Sequence, residues 1–283
     1  MQIGIGLPNP IPGTAGETII QWARRAEEAG FSSLATLDRI VYPSYESLIA
    51  LAAAAAVTER VGLMTNVLLG PTRNPVLLAK EAASVDQLSG GRLTLGLGVG
   101  AREDDFEAAG LDFHTRGKRW DEDLELIHRT WRGEPMGAGK PVGPRPARGD
   151  RVPILIGGMS DRAVERTVRW AIGWTVGGAP PERAGPFAER VRQAWKEAAK
   201  QGEPKIVGLT YFALGDGAAE KADQYVTDYY GQYGAQLAQR IPKSAQALKR
   251  TVAKFEDLGF DELFVDPTVA DLGQVDRAAE ALL

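Results

Sequence analysis

A run of glycines between residues 96 and 101 is the sequence feature with the clearest link to a cofactor. Gly96, Gly98 and Ala101 complete the pattern G-x-G-x-x-A in the stretch GLGVGA. That pattern is typical of the turn that binds the pyrophosphate of a dinucleotide, where glycine lets the backbone approach the ligand. The same residues fit a glycine-rich strand that another group approaches closely. The two interpretations imply different cofactors.

The position of these glycines favours a strand. In a Rossmann turn the glycines follow the strand, and the helix starts on the third of them. Here they alternate within the β-rich run Arg92–Val99, and the next helical pattern begins near Asp104. The acidic residues about 20 positions further on, Asp121 and Asp123, fall on a helical pattern instead of a strand end. A nicotinamide-dependent Rossmann dehydrogenase is therefore the minor alternative, while tight packing inside a barrel and approach of a cofactor stay open.

Two acidic residues follow β-rich segments and are candidates for proton transfer. Asp38 ends the run Ser33–Leu37, and Glu103 follows the glycine strand. A carboxylate at the mouth of a parallel barrel can act as a general acid or base. Asp38 can equally cap a loop or a helix, and Glu103 can equally be first-turn helix charge beside Asp104. Both interpretations stay open for each residue.

Several other kinds of catalytic site lack their residues. The chain has no cysteine and two histidines, His114 and His128. Neither histidine has a second ligand at metal-binding spacing, and no G-x-S-x-G motif marks a nucleophilic serine. We predict no metal site. We expect a structural role for His128, which lies in mid-helix, whereas His114 lies in a loop that can face a substrate.

Alternating strands and helices must position these residues. Short β-rich runs alternate with longer helical segments about eight times, which predicts a parallel sheet with helices outside it. The predicted fold class is α/β, a (β/α)8 TIM barrel with insertions, as one domain over residues 1–283. Residues 133–151 are rich in glycine and proline and predict a surface excursion. The predicted strands are Gln2–Leu7, Ser33–Leu37, Val61–Leu69, Arg92–Val99, Pro153–Gly157, Trp174–Val176, Ile206–Leu214 and Glu262–Val265.

Composition and charge narrow the set of partners. The 283 residues carry a formal net charge of −4, without a long run of lysine or arginine, which argues against nucleic acid and anionic membranes as partners. The first ten residues lack the features of a signal peptide, and no apolar run reaches the roughly 18 residues that span a bilayer. We expect a cytoplasmic protein that acts on a small molecule and forms a homo-oligomer.

Several motifs together resemble the bacterial luciferase-like monooxygenase family. The most specific matches are NPVLLAKE at 74–81, DQLSGGR at 86–92 and GLGVG at 96–100. Supporting matches are RGKRWDE at 116–122, PILIGG at 153–158 and DPT at 266–268. Together they extend over nearly the whole chain. The resemblance implies a TIM barrel that binds reduced FMN or the deazaflavin coenzyme F420 at the carboxyl ends of its strands.

The resemblance also implies which residues contact the flavin ring. Members of the family often have a bulge near the end of the third strand, with a non-proline cis peptide bond pressed against the ring. The matching dipeptide is Asn66-Val67. The glycine strand, which ends at Gly100, would lie beside the same ring and thin the barrel wall there.

A flavin phosphate would bind on the other side of the barrel. By resemblance, it would rest on the backbone amides of Gly157, Gly158 and Met159, with Gly177 and Gly178 as a second candidate pair. Glycine allows close approach, and the amides at a helix N-terminus favour an anion. The alternative is that the first glycine pair only turns a strand into a helix.

One departure from the family bears on the substrate. The sugar-phosphate dehydrogenases that resemble this chain carry Asp-His after the second strand, whereas this chain has Asp38-Arg39. Arginine stays protonated and cannot replace histidine as a base, so sugar-phosphate dehydrogenation is not expected. Glu103 matches a position at which related dehydrogenases carry an acid.

The resemblance therefore implies an oxidoreductase that acts on a small organic substrate. The reaction would be that of a monooxygenase or of an F420-dependent dehydrogenase or reductase. F420 is slightly favoured over FMN, because chains with this N-P-V-L-L-A-K pattern look more like the deazaflavin-using branch. An FMN-dependent enzyme could require a separate flavin reductase as a partner. A flavin-binding barrel without turnover is the alternative from another class of protein.

Overall fold

Eight parallel strands form the centre of the fold. A computed structural model describes residues 1–137 and 139–283; Ala138, which belongs to the predicted excursion, lies outside the described residues. Each strand pairs with the next, and the last pairs with the first, so the sheet closes into a barrel and the predicted TIM-barrel fold is confirmed. The strands are β1 Gln2–Gly6, β2 Ser33–Thr36, β3 Gly62–Leu69, β4 Leu93–Gly98, β5 Ile154–Gly157, β6 Gly173–Val176, β7 Lys205–Phe212 and β8 Glu262–Pro267.

Helices connect the strands and cover the outside of the barrel. Two of the connections contain more than one helix. The connection after β4 has a short additional helix, and the connection after β7 contains three helices. The helices are α1 Gly16–Ala29, α2 Ser47–Ala55, α3 Pro75–Leu88, α4 Glu103–Ala108, α5 Arg116–Trp131, α6 Asp161–Trp170, α7 Pro181–Glu197, α8 Ala218–Tyr230, α9 Gly234–Ala238, α10 Ala245–Asp257 and α11 Gly273–Leu282.

Local sequence signals explain where several helices begin and end. The Asn74 side chain accepts hydrogen bonds from the first-turn amides of α3, and Pro75 occupies a position where its missing N–H costs nothing. Ser160 and Ser244 cap α6 and α10 in the same way. Gly30 ends α1 in the left-handed region, at φ 96°, which glycine adopts without strain. These signals fix the connections that return the chain to each strand.

The apolar core lies in two layers, one outside and one inside the sheet. Between the sheet and the helices, the buried side chains include Trp22, Trp120 and Trp131. Inside the barrel, Met64, Leu155, Leu209 and Phe264 fill the space below the mouth. His128 is buried at the outer layer and stacks on the Trp170 ring, as expected for a structural histidine. Across the described residues, every helix is too short or too polar to cross a bilayer.

Glycines on β1 and β4 lie against larger side chains of the neighbouring strands β8 and β3. A Cβ on Gly4 would overlap the ring of Phe264, and a Cβ on Gly6 would lie 2.6 Å from the Cγ of Asp266. A Cβ on Gly98 would lie 2.6 Å from a methyl group of Val67. Such distances are too short for real contacts. The interior is therefore built from complementary pairs, in which glycine on one strand makes room for a bulky residue on another.

Candidate functional site

A cavity of about 360 Å³ opens at the carboxyl ends of the strands. This is the end of a TIM barrel where ligands bind, and the volume falls in the range of small-molecule sites. We call it the mouth cavity. It is lined by Leu37, Asp38, Arg39, Asn66, Val67, Leu69, Ala101, Arg102, Asp105, Gly158, Met159, Val176, Gly177, Leu209, Tyr211, Tyr229 and Tyr230.

A bulge in β3 contributes Asn66 and Val67 to the cavity wall. The pairing of β3 with β4 shifts in register between Thr65 and Leu68, and the Asn66–Val67 peptide bond is cis, as the resemblance implied. The bulge also explains the glycine strand. A Cβ on Gly96 would overlap the Thr65 carbonyl oxygen. The space that Gly96 and Gly98 leave is filled by the β3 bulge. The expectation that the glycine strand thins the wall beside a flavin ring stays a prediction.

The Asn66 side chain is buried, and one of its two polar atoms has a hydrogen-bond partner among the described residues. Its Oδ1 accepts a hydrogen bond of 2.8 Å from the Thr175 hydroxyl on β6. Its Nδ2 has no hydrogen-bond partner among the described residues, although the side chain is 2% exposed. A buried amide donor without an acceptor costs about 1–3 kcal/mol. The floor of the mouth cavity thus presents a fixed donor that suits a carbonyl oxygen or ring nitrogen of a ligand.

Asp38 is held in a network of hydrogen bonds. Its Oδ2 accepts from the Leu69 amide and from Arg73 Nη1, both at 2.8 Å, and its Oδ1 accepts from Arg73 Nη2 at 3.0 Å. The Ser47 hydroxyl is 3.4 Å from the same carboxylate. These contacts join the carboxyl ends of β2 and β3. They favour a positioning role, and the predicted catalytic role of Asp38 stays a prediction.

Glu103 occupies the first turn of α4, outside the lining of the mouth cavity. Its side chain is 59% exposed and lies 4.0 Å from His114 Nε2, which is also exposed. The turn carries Asp104 and Asp105 as well, so Glu103 contributes to a cluster of negative charge at a helix N-terminus. A catalytic role for Glu103 stays a prediction that no contact with the cavity supports.

Two arginines border the mouth cavity and are held in place by different partners. Arg39 lies 2.9 Å from carboxylate oxygens of both Asp104 and Asp105, which fixes it against α4. Arg102 donates to the backbone carbonyl of Tyr229, and its guanidinium lies 5.5 Å from the centre of the Tyr229 ring. Both contacts connect the β2 and β4 loops to neighbouring segments, and the charge of Arg39 is balanced by its two carboxylate partners.

Three tyrosines line the side of the cavity next to these arginines. Tyr211 ends the inward face of β7, and its hydroxyl lies 2.5 Å from that of Tyr230 on α8. Burial raises the pKa of Tyr230 to about 12 and raises the pKa of Tyr211 well above its ordinary value. Both phenols are therefore neutral hydrogen-bonding groups at physiological pH. Tyr229, also on α8, packs edge-on against Tyr230 with ring centres 4.9 Å apart.

The residues predicted to bind the flavin phosphate have two different structural roles: some line the cavity, and one makes room for the β3 bulge. Gly158, Met159 and Gly177 line the mouth cavity, while a Cβ on Gly157 would lie 2.9 Å from a methyl group of Val67, so Gly157 makes room for the bulge. Gly158 has φ 104°, which favours glycine. Its carbonyl accepts a 2.7 Å hydrogen bond from the Trp174 indole, which fixes the orientation of this loop.

A second groove continues from the mouth cavity. It has a volume of about 280 Å³ and shares Met159 and Gly177 with the cavity. Gly178, Arg183 and Arg240 line its outer part. We call it the basic groove. The glycines of the β6–α7 loop thus lie where a ligand in the mouth cavity would extend toward two arginines.

Gly100 has a structural explanation of its own. It adopts φ 81°, where side chains are strained, and a Cβ would lie 3.2 Å from the Phe106 ring. Its carbonyl accepts a hydrogen bond of 3.1 Å from Arg116 Nε. Gly100 is absent from the lining of the mouth cavity. Its predicted contact with a cofactor stays a prediction.

Sequence reasoning missed two important side chains of the cavity. Tyr211 lies in a continuous apolar strand, where nothing in the pattern distinguishes the inward face from the outward one. Arg102 follows the glycine strand and resembles ordinary loop charge. Tyrosines at helical spacing, such as Tyr225 and Tyr229, are typical of a helix face that packs on a barrel. In the structure Tyr229 and Tyr230 pack in this way and also line the cavity.

The fold and this site define a TIM-barrel protein with a ligand-binding cavity at the carboxyl ends of its strands. Comparison with known proteins agrees. The family model described as luciferase-like monooxygenase matches residues 1–257. An uncharacterized protein of Mycobacterium tuberculosis (strain H37Rv) is 33% identical over 240 residues, which cover 74% of this chain and 82% of the relative. The chain therefore belongs to the luciferase-like monooxygenase family.

Two solved structures share the fold. Monooxygenase RslO1 from Streptomyces bottropensis has a TM-score of 0.81 at 22% identity, covering 100% of this chain and 98% of its own. An F420-dependent secondary alcohol dehydrogenase, solved with an F420–acetone adduct, has a TM-score of 0.82 at 17% identity, covering 99% of this chain and 98% of its own. At these identities the similarity shows the fold alone.

Proposed function

We propose that the protein is an oxidoreductase that binds F420 or reduced FMN in the mouth cavity, with F420 favoured, and acts on a small organic substrate. The observation that carries the proposal is the unpartnered amide of Asn66, which is buried at the floor of a cavity of about 360 Å³. Family membership and the F420 bound by one similar structure support the same assignment. When bound, the cofactor would supply the two-electron chemistry, while the protein supplies position and electrostatics.

The residues present fit such a cofactor. A flavin or deazaflavin ring is flat and carries carbonyl oxygens, which suit the Asn66 donor and the apolar surface of Val67. The phosphate would bind at the backbone of Gly158 and Met159, or at Gly177 and Gly178. Beyond these glycines the basic groove offers two arginines to a longer anionic tail. F420 has such a tail and FMN ends at its phosphate, so the groove supports F420.

Within this proposal, Asp38 would act by positioning. Its bonds to the Leu69 amide and Arg73 hold the end of β3, and therefore the bulge, at the cavity wall. Arg102, which is paired with no carboxylate in the described part of the chain, would favour a substrate or cofactor group with partial negative charge. Glu103 remains a proposed acid on the rim.

Intrinsic fluorescence tests the choice of cofactor. The chain has six tryptophans, and Trp174 is hydrogen-bonded to the Gly158 carbonyl. Parallel titrations with F420, FMN, reduced FMN and NADP should show saturable quenching by F420 or a flavin. Replacement of Asn66 by Ala should weaken that binding, while replacement of the exposed Glu103 by Gln should leave it unchanged. Quenching by NADP alone, or by none of the four, would refute the proposal.

Oxygen consumption distinguishes the reactions. A monooxygenase consumes oxygen when reduced FMN and substrate are present, and needs a source of reduced flavin such as a separate reductase. An F420-dependent dehydrogenase changes the F420 absorbance without oxygen. A protein that binds cofactor tightly and turns over no substrate would be a flavin-binding barrel instead.

The prediction of a homo-oligomer also belongs to the proposal. Large apolar side chains are exposed on the neighbouring helices α2 and α3, where Ile49 is 68% and Leu77 is 53% exposed. Association through this face would remove them from water. Light scattering coupled to size exclusion should give a mass above the 30.4 kDa of one chain. A monomeric mass at micromolar concentration would contradict the prediction of a homo-oligomer.

A further inference from the structure

The charged side chains that line the mouth cavity differ in whether an opposite charge balances them. They are Asp38, Arg39, Arg102 and Asp105. Asp38 is paired with Arg73 at 2.8 Å, and Asp105 is paired with Arg39 at 2.9 Å. Arg102 forms an ion pair with no carboxylate in the described part of the chain. Of these four side chains, Arg102 therefore carries the charge that the protein itself leaves unbalanced.

Uncharged groups hold Arg102 in place. Its Nη2 donates to the Tyr229 carbonyl, and its guanidinium lies 5.5 Å from the ring centre of Tyr229 and 5.9 Å from that of Tyr230. Arginine carries five N–H donors in one plane, and the Nε and Nη1 groups of Arg102 donate to no acceptor among the described residues. A guanidinium that is held in one orientation with free donors is suited to pair with an oxyanion through two parallel hydrogen bonds.

Arg102 is separate from the residues proposed to bind the anionic part of the cofactor. It follows β4 and contacts α8, whereas the proposed phosphate glycines follow β5 and β6. The basic groove, where Arg183 and Arg240 would meet an anionic tail, is lined without Arg102. An anion bound at Arg102 is therefore assigned to the substrate rather than to the cofactor.

We propose that the substrate of the mouth cavity is a small organic anion, and that its oxyanion group pairs with Arg102. The inference rests on the proposed function, which places cofactor and substrate together in this cavity. Arg102 is then a specificity-determining residue: it binds and orients the substrate, and no bond to it forms or breaks. Because the guanidinium is half-buried, its attraction to an anion is less screened than it would be in open water. An uncharged analogue forgoes this pairing and binds more weakly.

Binding to the wild-type protein tests the proposal first. Benzoate, benzenesulfonate and phenyl phosphate carry three different oxyanions on the same ring, and benzamide is the neutral counterpart of benzoate. Ligand-observed NMR titrations, with and without the cofactor that binds, should give at least one anion a Kd about tenfold or more below that of benzamide. The anion with the lowest Kd then identifies the class of oxyanion. Anions that bind no more tightly than benzamide, or that do not bind, would overturn the proposal.

Substitution of Arg102 tests the assignment to this residue. Arg102→Gln should raise the Kd of the preferred anion about tenfold or more, to the level of benzamide, and leave the Kd of the cofactor unchanged. Arg102→Lys keeps the charge without the planar fork, so it should keep part of the preference. Arg116→Gln is the matched control: Arg116 also donates to backbone carbonyls and lies 3.6 Å from the centre of the Phe113 ring, but it is absent from the cavity lining.

The outcomes separate this inference from the proposed function. A preference for anions that persists in folded Arg102→Gln, as judged by circular dichroism, would overturn the role of Arg102. Weaker cofactor binding by that variant would assign Arg102 to the cofactor and overturn it as well. If Arg102→Gln fails to fold, the wild-type titrations and Arg102→Lys still decide the question. Failure of the wild type to bind any cofactor would defeat the proposed function itself.

Discussion

At the scale of the residue, Asp38 joins two strand ends and is paired with Arg73, which is itself largely buried. Asp38→Asn keeps the shape but removes the charge that balances the guanidinium. We expect the free energy of unfolding to fall by about 2–3 kcal/mol, measured by urea denaturation. Glu103→Gln is the control, since an exposed carboxylate should change it by less than about 0.5 kcal/mol. Equal stability of the two variants would show that the Asp38 network contributes little.

Burial raises the pKa of Asp266 well above its ordinary value, which leads to a separate prediction about the effect of pH on stability. The unfolded chain loses this proton near pH 3.9, whereas the folded protein keeps it, so the folded state binds more protons above that pH. The stabilising contribution of Asp266 is therefore complete below about pH 3.9 and decreases as pH rises toward the raised pKa. Relative to Asp266→Asn, the wild type should lose stability as the pH rises from about 4 toward the raised pKa, by at most about 1.4 kcal/mol per pH unit.

Urea denaturation of both proteins across that range measures this slope. The comparison removes the contribution of all other groups, because they are present in both proteins. A stability difference that stays constant with pH would show that Asp266 is ionised in the folded state.

The residue scale is also where sequence reasoning reached its limit. Asp38 and Asn66 were found because a strand end and a family motif pointed to them. Tyr211 and the burial of Asp266 were not, because inward and outward faces alternate along apolar strands and the phase is fixed only by the pairing of β7 with β8. The partners of a side chain from a distant loop, such as Arg73 with Asp38, also depend on packing that no local pattern encodes.

At the scale of the element, the β3 bulge depends on glycines in β4. We expect Gly96→Ala to destabilise the protein by about 1–3 kcal/mol and to weaken cofactor binding, because its Cβ would displace the bulge. Gly177→Ala is a matched comparison, since no atom lies within 4 Å of its added Cβ. That variant should keep its melting temperature, although it can still weaken binding by narrowing the cavity. Thermal denaturation and the fluorescence titration separate the two effects.

Elements were predicted well where local signals are strong. The regular alternation of strands and helices predicts the barrel. The asparagine–proline pair at 74–75 is typical of a helix N-terminus, and α3 begins there. The helical pattern of residues 218–258 predicts one break, near Ile241-Pro242, whereas the structure divides this stretch into α8, α9 and α10 with further breaks around Gly231. Gly231 has φ 56°, which ends α8. A helical pattern with scattered glycines does not reveal which glycine interrupts the helix.

At the scale of the whole molecule, a ligand in the mouth cavity contacts the ends of several strands and stabilises only the folded state. The correct cofactor at about one hundred times its Kd should raise the free energy of unfolding by about 2.7 kcal/mol, and the melting temperature by about 5 °C or more. Differential scanning fluorimetry without and with each cofactor measures the shift. NADP should produce none, and an equal shift with NADP would favour a nicotinamide site.

The complementary pairs inside the barrel have a consequence for how the sequence can change. Gly4 and Phe264, or Gly98 and Val67, share one volume between two distant positions of the chain. A larger residue at the glycine is tolerated only if its partner becomes smaller, so the two positions should covary among homologous sequences. Gly4→Ala alone should then be harmful, and Phe264→Leu should partly rescue it. Substitutions in the barrel interior should therefore occur at both positions of a pair together.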